Sequence, residues 1–313
     1  MEGGHIDHVT VPEGIQASPE SPGGRLRVLI AGAGVVGHAE GTALLGHGHH
    51  VAFSDVDEAV LSQRRTEGFQ TFPMTGLRLV GIDVVLISVS TPTSARGTDL
   101  RHLERAVATI GDALGRASSA EPGRYRVVIL RSTVPPGTTD DIVIPLLEAE
   151  AGLQAGLDFG VCMSPEYLRQ RMAVDDAIAP RLVVIGQLDD RSGDVAERLN
   201  AGFGCPVFRV PIREAEFQKY AHNLCNASKI SFFNELRQVA TAIGVDAERV
   251  FARVAQSAEA MWNAEYGTRD LGPYGGPCLP KDLEAFLIWA ERQGLDLPMV
   301  SAIRKSNYPA QAR

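Results

Sequence analysis

A single cysteine lies in a turn rich in glycine and proline near the carboxyl end of the chain. Residues 275–282 read Gly-Gly-Pro-Cys-Leu-Pro-Lys-Asp, so a cation and a carboxylate follow Cys278 within four residues. Glycine lets a backbone approach a ligand closely, and proline stiffens a turn. A thiol attacks as the thiolate, which a neighbouring lysine or the N-terminus of a helix favours. Lys281 and a helix predicted to begin at Asp282 would supply both. We therefore interpret Cys278 as a nucleophile rather than as an incidental cysteine of a structural loop.

A glycine-rich loop lies near the amino end, between an apolar run and a predicted helix. Its sequence, Gly-Ala-Gly-Val-Val-Gly over residues 32–37, lets a pyrophosphate approach the N-terminus of a helix. Asp55 ends the next apolar run, where a carboxylate accepts from the ribose hydroxyls of adenosine and repels a 2′-phosphate. A solvated turn residue is the alternative interpretation of Asp55. The pattern predicts NAD rather than NADP, held by Gly32, Gly34, Val35, Val36, Gly37 and Asp55.

Small hydroxyl residues follow two later apolar runs, 83–88 and 127–130. In an open sheet with helices on both faces, ligands bind beyond the carboxyl ends of the strands. We therefore expect the nicotinamide half of the cofactor, or a bound water, to contact this region. For Thr93 and Thr138 we prefer capping of the helices that follow. The cofactor residues predicted here are Ser90, Thr91, Pro92 and Thr133.

Apolar periodicity predicts the elements that must position these residues. From residue 25 to 210, apolar runs of strand length alternate with helical segments, which is typical of a doubly wound, Rossmann-type parallel sheet. We assign this range to an NAD-binding domain and residues 211–313 to an all-α domain. The second domain is predicted to be built on one long helix, because residues 213–243 contain neither glycine nor proline.

The long helix carries apolar residues around much of its circumference. This predicts burial on several sides and a place between two subunits, so we expect a homodimer. Lys219 and Asn223 lie four residues apart and therefore share one face of this helix.

Composition excludes several classes of function. The chain has 313 residues and a net charge of −8, which argues against nucleic acid as a partner. No apolar run approaches the roughly 20 residues that span a bilayer, so no membrane partner is expected. Four widely spaced cysteines are typical of reduced thiols and predict a cytoplasmic location. Residues 1–24 are polar and lack the apolar core of a signal peptide, so we interpret them as a disordered arm.

Three histidines, His47, His49 and His50, lie among glycines where a helix is predicted to end. We attribute them to the helix terminus and the start of the next strand rather than to a metal site. No metal is therefore predicted.

Six segments, in this order, resemble the UDP-glucose/GDP-mannose dehydrogenase family over roughly Leu26 to Asn307. The glycine loop is common to many families, whereas the cysteine turn and the helix with Lys219 and Asn223 are specific to this one. The segments are the glycine loop with Asp55, Ser90–Thr93, Ser132–Thr139, Ser164–Arg169, Glu216–Asn223 and Gly275–Asp282.

The resemblance implies oxidation of a primary alcohol, typically C6 of a nucleotide sugar, to a carboxylate with two NAD⁺. The reaction would pass through a thiohemiacetal and a thioester on Cys278. Lys219 and Asn223 would donate to the oxygen on which negative charge develops. A small-molecule substrate is the partner expected.

The resemblance also implies roles for the remaining residues of these segments. Asp282 would act as a base or orient one through a water, together with Thr133. Glu166 would serve as the general base in hydrolysis of the thioester, and Lys281 would lie on the cofactor side. The substrate would contact Tyr167, Leu168, Arg169, Lys219, Asn223 and Gly275.

The chain departs from the family pattern at several points. The family is expected to continue into a third domain that holds the nucleotide, where this sequence ends. Gln170 stands in place of a second glutamate, and Val60 in place of a cofactor-side lysine of some members. Residues 269–274 lack the family's glycine spacing beside the sugar phosphate. The substrate is left open between a nucleotide sugar and a smaller, phosphorylated alcohol.

Two other functions remain open at this point. One is a two-electron alcohol or hydroxyacid dehydrogenase in which Cys278 is idle. The other is a catalytically silent, NAD-binding subunit of a dimer.

Overall fold

The computed structural model describes residues 24–95, 97–269 and 272–307. The predicted disordered arm therefore lies outside the described residues, except for its last residue. The chain divides into two compact units, with the boundary between Ala221 and His222. The predicted domain boundary at residue 210 stays a prediction.

The first unit is built on an eight-stranded sheet within the described residues. Three of its central strands are buried at every position, because helices cover both faces. Along the sheet the strands follow the order β10-β9-β8-β7-β4-β1-β2-β3, and β5 and β6 form a separate hairpin. Their bounds are β1 (Arg27–Ala31), β2 (His50–Asp55), β3 (Gln70–Pro73), β4 (Val84–Ile87), β5 (Thr93–Ser94), β6 (Gly97–Thr98), β7 (Val127–Leu130), β8 (Gly160–Met163), β9 (Val183–Gln187) and β10 (Val207–Pro211).

Among the described residues, six α-helices belong to the first unit, and a seventh, α7, begins there and continues into the second. Leu103 and Leu147, on α3 and α4, pack into the core on one face of the sheet. Leu44, Leu61 and Leu199, on α1, α2 and α6, pack on the other face. The helices are α1 (Val35–Gly46), α2 (Glu58–Thr66), α3 (Arg101–Ala120), α4 (Ile144–Ala151), α5 (Ala173–Ile178), α6 (Asp190–Asn200) and α7 (Ile212–Ala242).

The predicted doubly wound, Rossmann-type sheet is confirmed, with one difference in strand direction. Strands β1 to β4, β7 and β8 are parallel, but β9 runs antiparallel to β8, and β10 is parallel to β9. The short helix α5 packs on α1 and does not return the chain to the amino edge of the sheet. Strand β9 therefore starts at the carboxyl edge and runs the other way.

Helix α7 confirms the predicted long helix to within one residue at each end. The prediction that this helix is buried on several sides is wrong within the single chain. Residues 221–231 are exposed throughout, and Leu224 and Ile230 keep 61% and 62% of their surface in solvent. Their apolar side chains lack a covering element among the described residues.

The second unit is helical within the described residues. Its core joins the end of α7 to two later helices through Val239, Ala290, Leu297 and Val300. The buried carboxylate of Glu235 accepts from the backbone N–H groups of Met299 and Val300 at 2.8 and 2.9 Å, which caps the last helix. Its helices are α8 (Ala247–Ser257), α9 (Glu259–Trp262), α10 (Leu279–Arg292) and α11 (Pro298–Asn307).

The histidine cluster lies where helix α1 gives way to strand β2. His47 is the C-cap residue of α1. His49 is buried, with Nδ1 accepting from the Leu26 N–H at 3.1 Å and Nε2 3.1 Å from the Leu199 carbonyl. These contacts show a structural role at the helix end. Among the described residues, no group of three His, Cys, Asp or Glu side chains is placed to hold a metal ion.

No helix in the described part of the chain combines the length and the apolar character that a membrane crossing requires.

Candidate active site

The three glycines of the loop between β1 and α1 have three different surroundings. Gly32 has a φ of +103°, and a Cβ there would overlap the carbonyl of Ser88 at the end of β4. A Cβ on Gly37 would overlap the carbonyl of Gly32, so this glycine lets α1 pack tightly on β1. Around Gly34, in contrast, a Cβ would meet nothing within 4 Å. The chain itself therefore does not require glycine at 34, which fits a residue that must leave room for a ligand.

Asp55, at the end of β2, braces the glycine loop. Its Oδ2 accepts from the Ala33 N–H at 2.7 Å, and its Oδ1 accepts from the Asp57 N–H at 3.0 Å. Each carboxylate oxygen can accept more than one hydrogen bond, so both oxygens keep capacity for ribose hydroxyls. The structure thus gives Asp55 a structural role in the loop. Asp55 is therefore more than a solvated turn residue, and its role toward the cofactor stays a prediction.

The hydroxyl residues at the ends of β4 and β7 are tied to each other. Thr91 Oγ1 donates to the carbonyl of Thr133 at 2.7 Å, and Ser132 Oγ donates to the carbonyl of Val89 at 2.6 Å. Thr133 is half-buried, and the neighbouring Ser90 and Pro92 are exposed at the same sheet edge. The two segments therefore form one surface beyond the carboxyl ends of adjacent strands.

The capping roles predicted for two threonines are wrong. Thr93 lies in strand β5, and helix α3 begins only after Leu100. Thr138 makes no side-chain cap and instead donates to the carbonyl of Pro135 at 2.6 Å. Thr93 is therefore part of a strand, and Thr138 occupies an N-cap position without capping through its side chain.

Helix α7 positions the loop that follows β7 through a buried carboxylate. Glu216 is fully buried and accepts from the N–H of Gly137, and from the N–H and Oγ1 of Thr139 at 2.8 and 2.7 Å. The prediction assigned no role to Glu216, although it lies in the segment that resembles the family. A glutamate between Ala215 and Phe217 near the start of a predicted helix was the available signal, because a buried carboxylate needs donors.

One turn further along α7, Lys219 forms a buried ion pair with Glu166. Lys219 keeps only 4% of its surface exposed, and its Nζ donates to Oε1 of Glu166 at 2.9 Å and to the Glu166 carbonyl at 2.5 Å. Oε2 of Glu166 accepts from the Leu168 N–H at 2.5 Å. The structure therefore brings these two predicted residues together at the end of β8. The Nζ group carries three N–H bonds and uses two of them here.

The residues next to Glu166 are placed differently from one another. Tyr167 packs against the core, and burial raises the pKa of its hydroxyl to about 12. Leu168 packs between α1 and α5. Arg169 is exposed and binds Asp176 through two nitrogens, at 2.9 and 2.6 Å. The charge of Arg169 is already compensated by Asp176. A substrate would therefore have to compete with Asp176 for this arginine.

A second buried ion pair joins α1 to the ends of β7 and β8. No sequence pattern predicts it. Arg131 Nη2 donates to Glu40 at 2.7 Å, and its Nη1 donates to the carbonyl and hydroxyl of Ser164 at 3.0 Å. Arg131 directly precedes the predicted Ser132-Thr133 segment, so the pair fixes the strand ends against the cofactor helix. The two residues lie 91 positions apart in the sequence, which left no local signal.

In the second unit, Cys278 is exposed and occupies the N-cap position of α10. The helix begins at Leu279 rather than at the predicted Asp282, so the thiol lies directly at its N-terminus. Lys281 and Asp282 form an exposed ion pair in the first turn. Asp282 therefore partly cancels the predicted effect of the Lys281 charge on the thiol. The N-terminus of α10, which carries a partial positive charge, lies directly at Cys278.

The turn before Cys278 is held by the last residue of α11. Asn307 clamps Tyr274, accepting from its N–H at 2.7 Å and donating to its carbonyl at 3.0 Å. Gly275 is exposed, and Gly276 has a φ of +79°, which favours glycine. Asn223 lies on the exposed stretch of α7.

The residues of the first unit fit a dinucleotide. The glycine loop opens at the N-terminus of α1, Gly34 leaves space, and a cleft of about 470 Å³ lies beside it. Gly32, Gly34, Val35, Val36 and Gly37 would hold the pyrophosphate, and Asp55 the ribose. An open α/β sheet with this loop at its first turn defines a class of nicotinamide-dependent dehydrogenases.

Comparison with known proteins gives the family within this class. The NAD-binding domain of the UDP-glucose/GDP-mannose dehydrogenase family matches residues 60–203, and the central domain of that family matches residues 213–308. The chain belongs to the UDP-glucose/GDP-mannose dehydrogenase family. It is an NAD-dependent dehydrogenase that acts on a CH–OH group.

Several named relatives are similar over most of this chain. GDP-mannose 6-dehydrogenase of Pseudomonas putida is 34% identical over 303 residues, which cover 90% of this chain and 68% of the relative. UDP-glucose 6-dehydrogenase of Bacillus subtilis is 30% identical, over 92% of this chain and 67% of the relative. The crystal structure of a ternary complex of GDP-mannose dehydrogenase from Pseudomonas aeruginosa superposes with a TM-score of 0.81 at 33% identity, over 90% of this chain and 68% of that one.

Proposed function

We propose that the protein oxidises the C6 primary alcohol of a nucleotide sugar to a carboxylate. Its relatives are named for this reaction on GDP-mannose and on UDP-glucose. The observation that carries the proposal is the buried pair of Lys219 and Glu166 at the carboxyl edge of the sheet. A buried cation with an N–H bond to spare stabilises a developing oxyanion, and a carboxylate beside it activates water.

The overall reaction converts R–CH₂OH, two NAD⁺ and water into R–COO⁻, two NADH and three protons. Bound NAD⁺ would accept one hydride in each of the two oxidations. In the first oxidation, a base held or oriented by Asp282 takes the hydroxyl proton, and the alcohol becomes an aldehyde. The thiolate of Cys278 then adds to the aldehyde carbon and gives a thiohemiacetal.

Residues of α7 and of the segment after β8 then act on the covalent species. Lys219, and Asn223 on the same helix face, donate to the oxygen of the thiohemiacetal while it loses its hydride and becomes a thioester. Glu166 removes a proton from the water that attacks the thioester carbon. The carbon–sulfur bond breaks, the carboxylate leaves, and Cys278 returns as thiolate.

Replacing Cys278 tests this mechanism. We expect Cys278→Ala to form acid at less than about one thousandth of the wild-type rate, because an aldehyde loses a second hydride only after a nucleophile adds to it. Cys278→Ser should behave similarly, since a serine hydroxyl stays protonated at neutral pH. NADH per product and the mass of the products are measured with GDP-mannose, UDP-glucose and small phosphorylated alcohols. Cys225→Ser, at an exposed thiol of the same unit, is the matched control.

The other outcomes separate the alternatives. Two NADH per acid at near wild-type rate in Cys278→Ala would remove the cysteine from the mechanism. One NADH per product in the wild type would establish a two-electron dehydrogenase. NAD⁺ binding without turnover of any alcohol would establish a silent subunit.

We also propose that the protein is a homodimer that uses α7. The exposed apolar residues of α7 support this, because a second copy would remove Leu224 and Ile230 from water. The cytoplasmic location and the domains at 25–210 and 211–313 stay predictions.

A further inference from the structure

A cleft of about 470 Å³ opens beside the glycine loop, and its walls come from three segments of the first unit. The N-terminus of α1 forms one wall with Gly34 and Val35, and α2 forms another with Val60 and Arg64. The segment after β8 forms the remaining wall with Arg171, Met172 and residues 173–175. Helix α1 has 12 residues, so its free N–H groups favour an anion at this wall.

Arg64 lies in this cleft with one donor unused. The residue is buried, with 6% of its surface exposed, and Nη1 donates to Glu67 at 2.7 Å. Its Nε is buried and has no hydrogen-bond partner among the described residues. A buried guanidinium donor without an acceptor is costly, and this one belongs to a side chain that lines the cleft.

Arg171, on the wall formed by the segment after β8, has no carboxylate partner in the part of the chain that the structure describes. Arg171 is exposed, as Arg169 is, but Arg169 forms an ion pair with Asp176 and Arg171 does not. Asp175 is the acidic residue on the same wall, and it forms no ion pair with Arg171. The lining of the cleft thus combines the N-terminus of a helix with two arginines, of which Arg171 has no ion pair and Arg64 has an unpartnered Nε.

We propose that Arg171 and Arg64 bind the pyrophosphate of the dinucleotide in the cleft that they share with the N-terminus of α1. Guanidinium groups bind phosphate oxygens through paired hydrogen bonds, and a pyrophosphate carries two negative charges to be compensated. Neither arginine belongs to the glycine loop or to the segments on which the family resemblance rests. Arg64 lines the same wall as Val60, and its ion pair with Glu67 leaves Nε without an acceptor. The proposal rests on cofactor binding at the glycine loop and is independent of the sugar.

Calorimetric titration without a sugar substrate tests the two arginines. We expect Arg171→Ala to weaken binding of NAD⁺, ADP-ribose and ADP by about tenfold each, since one charge-assisted contact to phosphate is lost. Adenosine, measured by competition, should bind to the variant as it does to the wild type. Asp175→Asn should tighten NAD⁺ binding, because it removes a negative charge from the same wall. Arg181→Ala, beyond the other end of α5, removes the same charge outside the cleft and should change none of these affinities.

Arg64→Met keeps the buried stem of the side chain and should also weaken NAD⁺ and ADP relative to adenosine. Its melting temperature is measured alongside, and if this variant does not fold, the exposed Arg171 decides the test. Unchanged NAD⁺ affinity in Arg171→Ala would overturn the proposal, as would an equal loss for adenosine and ADP. Because the titrations need neither Cys278 nor an alcohol, failure here is distinct from failure of the proposed oxidation.

Discussion

The residues that carry the chemistry are embedded in buried, paired charges. Lys219 with Glu166, and Arg131 with Glu40, are taken from water together, which is how buried charges are tolerated. Removing one partner of such a pair leaves the other uncompensated and typically costs about 3–5 kcal/mol. These positions therefore serve both stability and chemistry, and variants that keep the charge are the informative ones.

Asp55 governs the choice of cofactor, and we expect NAD⁺ to bind at least tenfold more tightly than NADP⁺. A carboxylate at the ribose repels a 2′-phosphate. Asp55→Asn should narrow this ratio, since the repulsion is gone. It should also weaken NAD⁺ itself, because the acceptor for the Ala33 N–H is disturbed. Calorimetric titration of both cofactors measures these effects, and equal affinities of the wild type for NAD⁺ and NADP⁺ would contradict the prediction.

Local patterns predicted some site residues and not others. The glycine loop, Asp55 and the cysteine turn each have a signature within a few residues of sequence. Glu216 and the Arg131–Glu40 pair depend on partners 77 to 91 residues away, and only the fold brings these together. The sequence predicts the start of α10 three residues too late, at Asp282, because Pro280 is assigned to the turn. Proline is well tolerated in the first turn of a helix, and α10 begins at Leu279.

At the scale of elements, α7 is the part that assembles the catalytic edge of the first unit. Glu216 reaches the loop after β7, and Lys219, three residues later, reaches the segment after β8. Three residues advance a helix by about 4.5 Å, close to the spacing of roughly 4.8 Å between neighbouring strands. One helical turn thus serves two adjacent strand ends. Sequence periodicity predicted the helix but not the strand ends that it meets.

The reversal of β9 could not be predicted from apolar runs, because a strand that is buried on both faces has the same composition in either direction. The direction was set by α5, which has only six residues and packs on α1. The parallel part of the sheet, in contrast, follows from alternating strands and long helices.

His49 joins α1, β2 and α6, and it predicts a pH dependence of stability. Burial, as the largest cause, lowers the pKa of His49 below its ordinary value of 6.5. The hydrogen bond with the Leu199 carbonyl opposes this, whereas nearby His47, Arg198 and His50 lower the pKa further. The unfolded chain therefore takes up a proton at a pH where the folded chain does not. The contribution of His49 to the free energy of unfolding is therefore fully present above pH 6.5 and is lost as the pH drops below that value.

We expect urea unfolding to give a lower free energy at pH 5.5 than at pH 7.5 in the wild type. His49→Gln should lose much of this difference, while His50→Gln, at an exposed neighbour, should keep it. Burial also lowers the pKa of His38, so a residual dependence of the same sign should remain in His49→Gln. Identical pH profiles for His49→Gln and the wild type would remove His49 as the cause.

At the scale of the whole molecule, the exposed middle of α7 predicts a dimer. Light scattering at micromolar concentration should give twice the chain mass of 33.6 kDa. Leu224→Glu should weaken the dimer by roughly tenfold or more, because a buried leucine contributes about 1.5–3 kcal/mol. Val80→Glu makes the same kind of change at an exposed apolar residue of the first unit and should leave the mass unchanged. A monomer mass for the wild type would rule out this assembly.

The unequal surroundings of the three loop glycines have an evolutionary consequence. Gly32 and Gly37 are required by the chain itself, since any side chain there would overlap a backbone carbonyl. Gly34 has a φ of −68° and open space around it, so folding alone permits other residues. In a lineage that kept this fold but no longer used the dinucleotide, neutral drift would change residue 34 first and leave 32 and 37 as glycine. The identity of this one residue in a descendant would then record whether the cofactor was still under selection.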